Sequence, residues 1–333
     1  MTTLSAGAPL EHPSHPIGRC TVSLVDGARG DRRMDLDIWY PATESGAEKS
    51  IYEIFPGVAF SAAVAQHHAP AAAGSFPVVL FSHGRTGMRI SYSMLCEALA
   101  ARGAVVVSAD HPGDALADWL TAQQVDDRTN ETNRVGDAHF VLDALLHGHQ
   151  EIPAGITEIA DPSRVFLAGH SYGAYTAYAT AAGARGVAPR EQVRGVIGFQ
   201  PFMRTMSEAL LQRVRAASLL VVAELDTTTP ADINADRAWT HLSGRPSWRL
   251  DLDGCGHQAV SDIALYAELA DDVPDLPQLV RDYLMATVVG SSGPGTRPWR
   301  QVVSEQVEVT WAFMQAVCGE EHSIPAGLRL QQR

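Results

Sequence analysis

Residues 165–177 read VFLAGHSYGAYTA. Four apolar residues of strand type run into Gly-His-Ser-Tyr-Gly and then into an alanine-rich helical stretch. A serine between two glycines at a strand-to-helix junction is either the cap of an ordinary turn or a nucleophile held up on a sharp one. Glycine at 169 and 173 suits the second reading, because strand and helix must pack too closely there for side chains. The decision rests on what else the chain brings to the same place.

Working outward, apolar runs of strand type recur at 21–25, 34–40, 77–82, 104–109, 164–168, 195–199, 218–223 and 247–252. The first two alternate, as antiparallel strands with one wet face do; the middle five are continuously apolar, as strands covered on both faces are. Helical periodicity separates them at 90–103, 133–148, 171–184, 206–215, 231–242, 259–270, 276–288 and 299–317. Alternating strands and helices predict an α/β fold, one mostly parallel eight-stranded sheet with helices on both faces. The expected organisation is a single domain over residues 15–320, between a flexible N-terminus (1–14) and a C-terminal tail (321–333). Residues 41–75, rich in Ala, Gly, Ser and Pro, read as a long surface connection, and SSGPGTRP (291–298) as a short link. Residues 114–132 and 259–298 are candidate lid or cap insertions. Trp119 and Leu120, within the first, read as core.

In such a sheet ligands bind beyond the carboxyl ends of the strands, and a triad follows in the chain order serine, acid, histidine. SLLVVAELDTTTP (218–230) carries Asp226 off a strand end, and SWRLDLDGCGHQ (247–258) delivers His257 on a glycine-rich loop. Asp251 and Asp253 are alternative acids. An oxyanion hole needs two backbone N–H groups. The expected donors are the amides of Tyr172, after the serine, and Arg85, in the His83-Gly84-Arg85 loop after the strand 77–82. His83 reads as a structural histidine that holds this loop.

The net charge of −13 argues against a nucleic-acid partner. No stretch approaches the ~18 apolar residues of a membrane span, so no stable membrane insertion is expected. The four widely spaced cysteines (Cys20, Cys96, Cys255, Cys318) fit free thiols. The first twenty residues lack the pattern of a signal peptide, and a cytoplasmic location is expected. The histidines follow no zinc spacing, so no metal is expected. A homo-oligomer is compatible with the sequence.

With those residues placed, the chain resembles the α/β-hydrolases, and within them the platelet-activating-factor acetylhydrolase-like group. The blocks that carry the likeness are FPVVLFSHGRTGMRISYSMLCEALAARGAVVVSADHPGD (76–114), DIWYPA (37–42), NRVGDAHFVLDAL (133–145) and AGHSYGAYTA (168–177). ELDTTTP (224–230) is similar to the acid loop of bacterial cutinase-like polyester hydrolases, and Gln200-Pro201-Phe202 stands where those enzymes carry a substrate-facing aromatic. The resemblance implies a serine carboxylester hydrolase without metal or organic cofactor, acting on a small-molecule ester of short to medium chain. It implies Ser171 as nucleophile, Asp226 as acid and His257 as base, with Gly84, Met88, Gln200 and Phe202 against substrate. Polyester or phospholipid acyl hydrolysis, amidase or thioesterase chemistry, and a catalytically silent binding protein are the alternatives. Arg85, where the family usually carries an apolar residue, points toward polar or acidic esters.

Overall fold

The computed structural model describes residues 2–7, 14–55, 57–273, 276, 278, 280–282, 284–286 and 297–333. Among them one twelve-stranded sheet forms. Its strands are β1 (Thr2–Ser5), β2 (Ile17–Asp26), β3 (Arg32–Pro41), β4 (Lys49–Phe55), β5 (Val58–His67), β6 (Phe76–Ser82), β7 (Val105–Ala109), β8 (Ala160–His170), β9 (Val193–Phe199), β10 (Ala217–Ala223), β11 (Ser247–Leu252) and β12 (Arg329–Gln332). The order across the sheet is β1-β5-β2-β3-β7-β6-β8-β9-β10-β11-β12, with β4 paired to β5. As the alternation of the early runs implied, β2 and β3 pair antiparallel, and β3 meets β7 antiparallel. From β7 to β11 every neighbouring pair is parallel.

The helices are α1 (Ser93–Ala101), α2 (Leu116–Leu120), α3 (Asp127–His147), α4 (Ala154–Ile159), α5 (Tyr172–Ala182), α6 (Glu208–Gln212), α7 (Arg237–His241), α8 (Ile263–Ala270) and α9 (Trp299–Cys318). Each face of the sheet is buried against its own set. Leu95 and Leu99 of α1, Leu265 of α8 and Val303 of α9 pack with Phe81 and Phe199. Val135 and Leu142 of α3 pack with Tyr175 and Tyr178 of α5 on the other side. This is the mostly parallel α/β architecture that the sequence pattern implied, and the α/β-hydrolase fold that the resemblance implied.

Five expectations change. The sheet has more than eight strands. Much of the extra sheet comes from the stretch read as a surface connection, where β4 and β5 pair antiparallel. The tail is not free, since β12 pairs antiparallel with β11. Within the N-terminal segment, β1 pairs parallel with β5; residues 8–13 lie outside the described residues. Trp119 and Leu120 are not core, being 40% and 69% exposed. Residues 291–296 of the link, residues 277, 279, 283, 287 and 288 of the helix at 276–288 and part of the candidate cap at 259–298 fall outside the described residues. Among those described, no helix is long and apolar enough to cross a membrane, and all four cysteines are free.

Candidate active site

Because β8, β9, β10 and β11 are consecutive and parallel, their carboxyl ends share one edge. Ser171 stands at the end of β8 as the residue before α5. Its backbone has φ 54° and ψ −117°, a conformation costly to a residue with a side chain and kept where the surroundings over-determine it. Those surroundings are specific. A Cβ at Gly169 would lie 2.3 Å from the backbone of Gly173, and one at Gly173 would lie 1.9 Å from the carbonyl oxygen of Ser82. The glycines let β8, α5 and β6 close around the turn. The Ser171 amide donates to the Phe199 carbonyl at 2.9 Å, which fixes the turn to β9.

Asp226 follows β10 and His257 follows β11, and the Leu225 amide stitches the two loops by donating to the Cys255 carbonyl at 2.8 Å. The three side chains meet. His257 Nε2 lies 2.9 Å from Ser171 Oγ, and its Nδ1 lies 2.8 Å from Asp226 Oδ2. Asp226 also accepts from the Thr228 and Thr229 amides (2.8 and 2.9 Å) and from the Thr229 hydroxyl (2.6 Å). Burial alone would raise its pKa; the hydrogen bond and charge of His257, with the Thr229 bonds, outweigh burial and hold it below the usual carboxylate range. The alternative acids are engaged elsewhere: Asp251 pairs with Arg249 at 2.8 Å, and Asp253 with Arg329.

Gly84, Arg85 and Met88 line a cavity of about 400 Å³ that opens onto Ser171 and His257. The amides of Arg85 and Tyr172 donate no backbone hydrogen bond among the turns and loops of the described residues. The loop that carries Arg85 is held rigidly. His83, fully buried, bonds the Gly84 carbonyl through Nδ1 at 2.6 Å and accepts the His111 amide at Nε2 (3.1 Å). Burial, then the nearby Arg134 charge, keep it neutral. It is the structural histidine the sequence implied. Arg134, which sequence reasoning missed, is completely buried; it pairs with Asp114 at 2.7 Å and donates to the His83 carbonyl at 2.9 Å.

Two of the expected substrate contacts are displaced. Gln200 and Phe202 do not line the cavity. Gln200, at φ 39°, turns inward to Gln306 of α9 at 3.4 Å, and Phe202 packs against Tyr172 in a tilted pair with ring centroids 5.2 Å apart. Arg85 does not present a free charge to the cavity either. Its guanidinium bonds Asp127 at 2.6 Å, lies 3.6 Å from Asp114 and covers the Tyr172 ring at 4.5 Å. Away from the triad, where Thr86, Ser91, Thr228, Gln258 and Ser261 also line it, the wall is apolar, with Leu116, Ile263 and Leu269 joined by Leu4, Ile54 and Val58 from β1, β4 and β5.

Fold and site together define the class: an α/β-hydrolase fold with a Ser-His-Asp constellation on its carboxyl edge. More particularly, residues 62–210 match the family model for chlorophyllase. That stretch contains Ser171, Tyr172 and Arg85 and ends before Asp226 and His257. A solved structure, the ferulic acid esterase from Streptomyces cinnamoneus, is similar with a TM-score of 0.73 over 99% of each chain, at 23% identity.

Proposed function

We propose that the protein is a serine carboxylester hydrolase acting on esters with an uncharged, apolar group. The observation that carries this is the constellation itself. A strained serine faces a largely apolar cavity, and its hydroxyl lies 2.9 Å from an imidazole that a buried carboxylate orients. His257 takes the Ser171 proton as Oγ attacks the ester carbonyl. Asp226 fixes the tautomer that leaves Nε2 free to accept, and stabilises the imidazolium that forms. The Arg85 and Tyr172 amides receive the oxyanion. His257 then protonates the departing alcohol, and water deacylates the enzyme by the same route. The likeness to chlorophyllase over 62–210 and to a ferulic acid esterase supports ester chemistry, as does the resemblance to acetylhydrolase-like and cutinase-like enzymes.

Hydrolysis of p-nitrophenyl esters from acetate to palmitate, with Ser171→Ala beside the wild type, tests this. Serine-dependent turnover is expected, with kcat lowered ~10⁵–10⁶-fold in the variant. A Ser171→Ala protein retaining a tenth of the activity would remove Ser171 from its role.

A further inference from the structure

The mechanism above leaves two buried polar rings beside the nucleophile without an assignment. His170, immediately before Ser171, is 2% exposed, and so is Tyr92. His170 Nε2 lies 2.7 Å from the carbonyl oxygen of His257. A carbonyl only accepts, so Nε2 carries the proton, and in the neutral ring Nδ1 is an acceptor. That acceptor faces the Tyr92 hydroxyl at 2.8 Å. The Tyr92 oxygen in turn accepts the Gly84 amide at 3.1 Å. Burial, followed by the His257 charge, lowers the His170 pKa to about 3, so the neutral ring persists at working pH.

Three hydrogen bonds therefore run in series, from the residue before Arg85 to the backbone of the base. They pass through the residue bonded covalently to the nucleophile. There is little slack in the path: a Cβ at Gly84 would lie 3.1 Å from His170 Nδ1 and 3.4 Å from both Ser171 Cβ and the Tyr92 hydroxyl. The His170 and His257 rings also pack together, with centroids 4.7 Å apart.

We propose that Tyr92 and His170 are positioning residues, a relay that sets the oxyanion loop and the His257 loop relative to Ser171 as one unit. Loosening either end displaces the other, and the loss falls on the chemical step, not on substrate capture. This rests on the esterase reading. A ring that merely fills space would leave turnover per active site untouched.

The test compares Tyr92→Phe, His170→Gln and His170→Leu with wild type on a p-nitrophenyl ester, active sites being counted by labelling with a fluorophosphonate. Per labelled site, Tyr92→Phe should lower kcat ~10-fold and His170→Leu ~10²-fold, with KM within about twofold. His170→Gln, whose side-chain amide can still donate to the His257 carbonyl, should lie between wild type and His170→Leu. A kcat per labelled site within about twofold of wild type in both Tyr92→Phe and His170→Leu overturns the relay. Absence of serine-dependent turnover in the wild type overturns the esterase reading instead. The relay is then read from amide resonances of the full chain. Shifts in Tyr92→Phe that reach Gln258, whose peptide includes the His257 carbonyl, uphold it, and shifts confined to the Gly84 loop overturn it.

Discussion

At the scale of single residues, the site was legible where its constraints are local and obscure where they are long-range. Gly-His-Ser-Tyr-Gly announces a sharp turn because its two glycines stand within five residues of each other and one packs on the backbone of the other. The structure places a specific obstacle at each glycine, most severely the Ser82 carbonyl 1.9 Å from a Cβ at Gly173. Gly173→Ala must move backbone, not a flexible side chain, so a loss of at least ~3 kcal/mol is expected, or failure to accumulate as soluble protein. A thermal melt within a degree of wild type would refute that close approach. Arg134 is the opposite case. In the sequence it is one polar residue at the start of a helix, and its partner Asp114 lies twenty residues earlier on another segment. Arg134→Met should cost ~3–5 kcal/mol, because Asp114 is left buried without its principal counter-charge. Activity should fall with stability, since the His83 carbonyl loses its anchor. Chemical denaturation, read beside ester turnover, checks both.

At the scale of elements, patterning found the strands that build the catalytic edge and missed those that wall the cavity. β6 to β10 contain apolar runs rich in branched residues, and β11 alternates apolar and polar residues, patterns that periodicity reads well. β5 is FSAAVAQH after Val58-Ala59, with small residues where bulky ones usually mark a strand. Its alanines 59, 62 and 65 are nonetheless fully buried, against neighbours the local sequence does not reveal. The consequence for function is direct, because Leu4, Ile54 and Val58 bring this added unit to the cavity beside Ser171. Val58→Trp should shrink that cavity. We expect kcat/KM on the longest ester accepted by wild type to fall ~10-fold or more while acetate changes by less than about twofold. An equal loss on every chain length would show that this wall does not contact the substrate. Gln200 and Phe202 fall outside the cavity lining, and the positive φ of Gln200 after β9 is a feature that no local pattern signals.

At the scale of the whole molecule, the segment after the base is fastened to the first helix by one carboxyl group. Asp262 accepts from the Ser93 amide and hydroxyl, both at 2.6 Å, and from the Met94 amide at 3.3 Å. It caps α1 from a position 169 residues away while opening α8, which lines the cavity. Burial, despite those bonds, pushes its pKa up to about 7. The sequence could show an aspartate before a helix but not that its oxygens serve a different helix. The sign of the linkage follows. In the unfolded chain the carboxyl ionises near the ordinary ~3.9, whereas in the folded chain it holds its proton to about 7. The unfolded state thus sheds a proton that the folded state keeps as pH rises between these values, and stability falls across that window. Below ~4 both states are protonated, and above about 7 both are ionised, so the difference is flat at each end. Asp262→Asn retains a carbonyl oxygen for the Ser93 amide and does not titrate. Relative to this variant, wild type should lose a few kcal/mol between pH 4 and 7, at ~1.4 kcal/mol per unit of pKa difference. Urea denaturation of both proteins at pH 4.5, 6 and 8 measures it. A wild-type-minus-variant difference that stays constant across the three values would mean that Asp262 is ionised throughout, held by the α1 cap against the cost of burial.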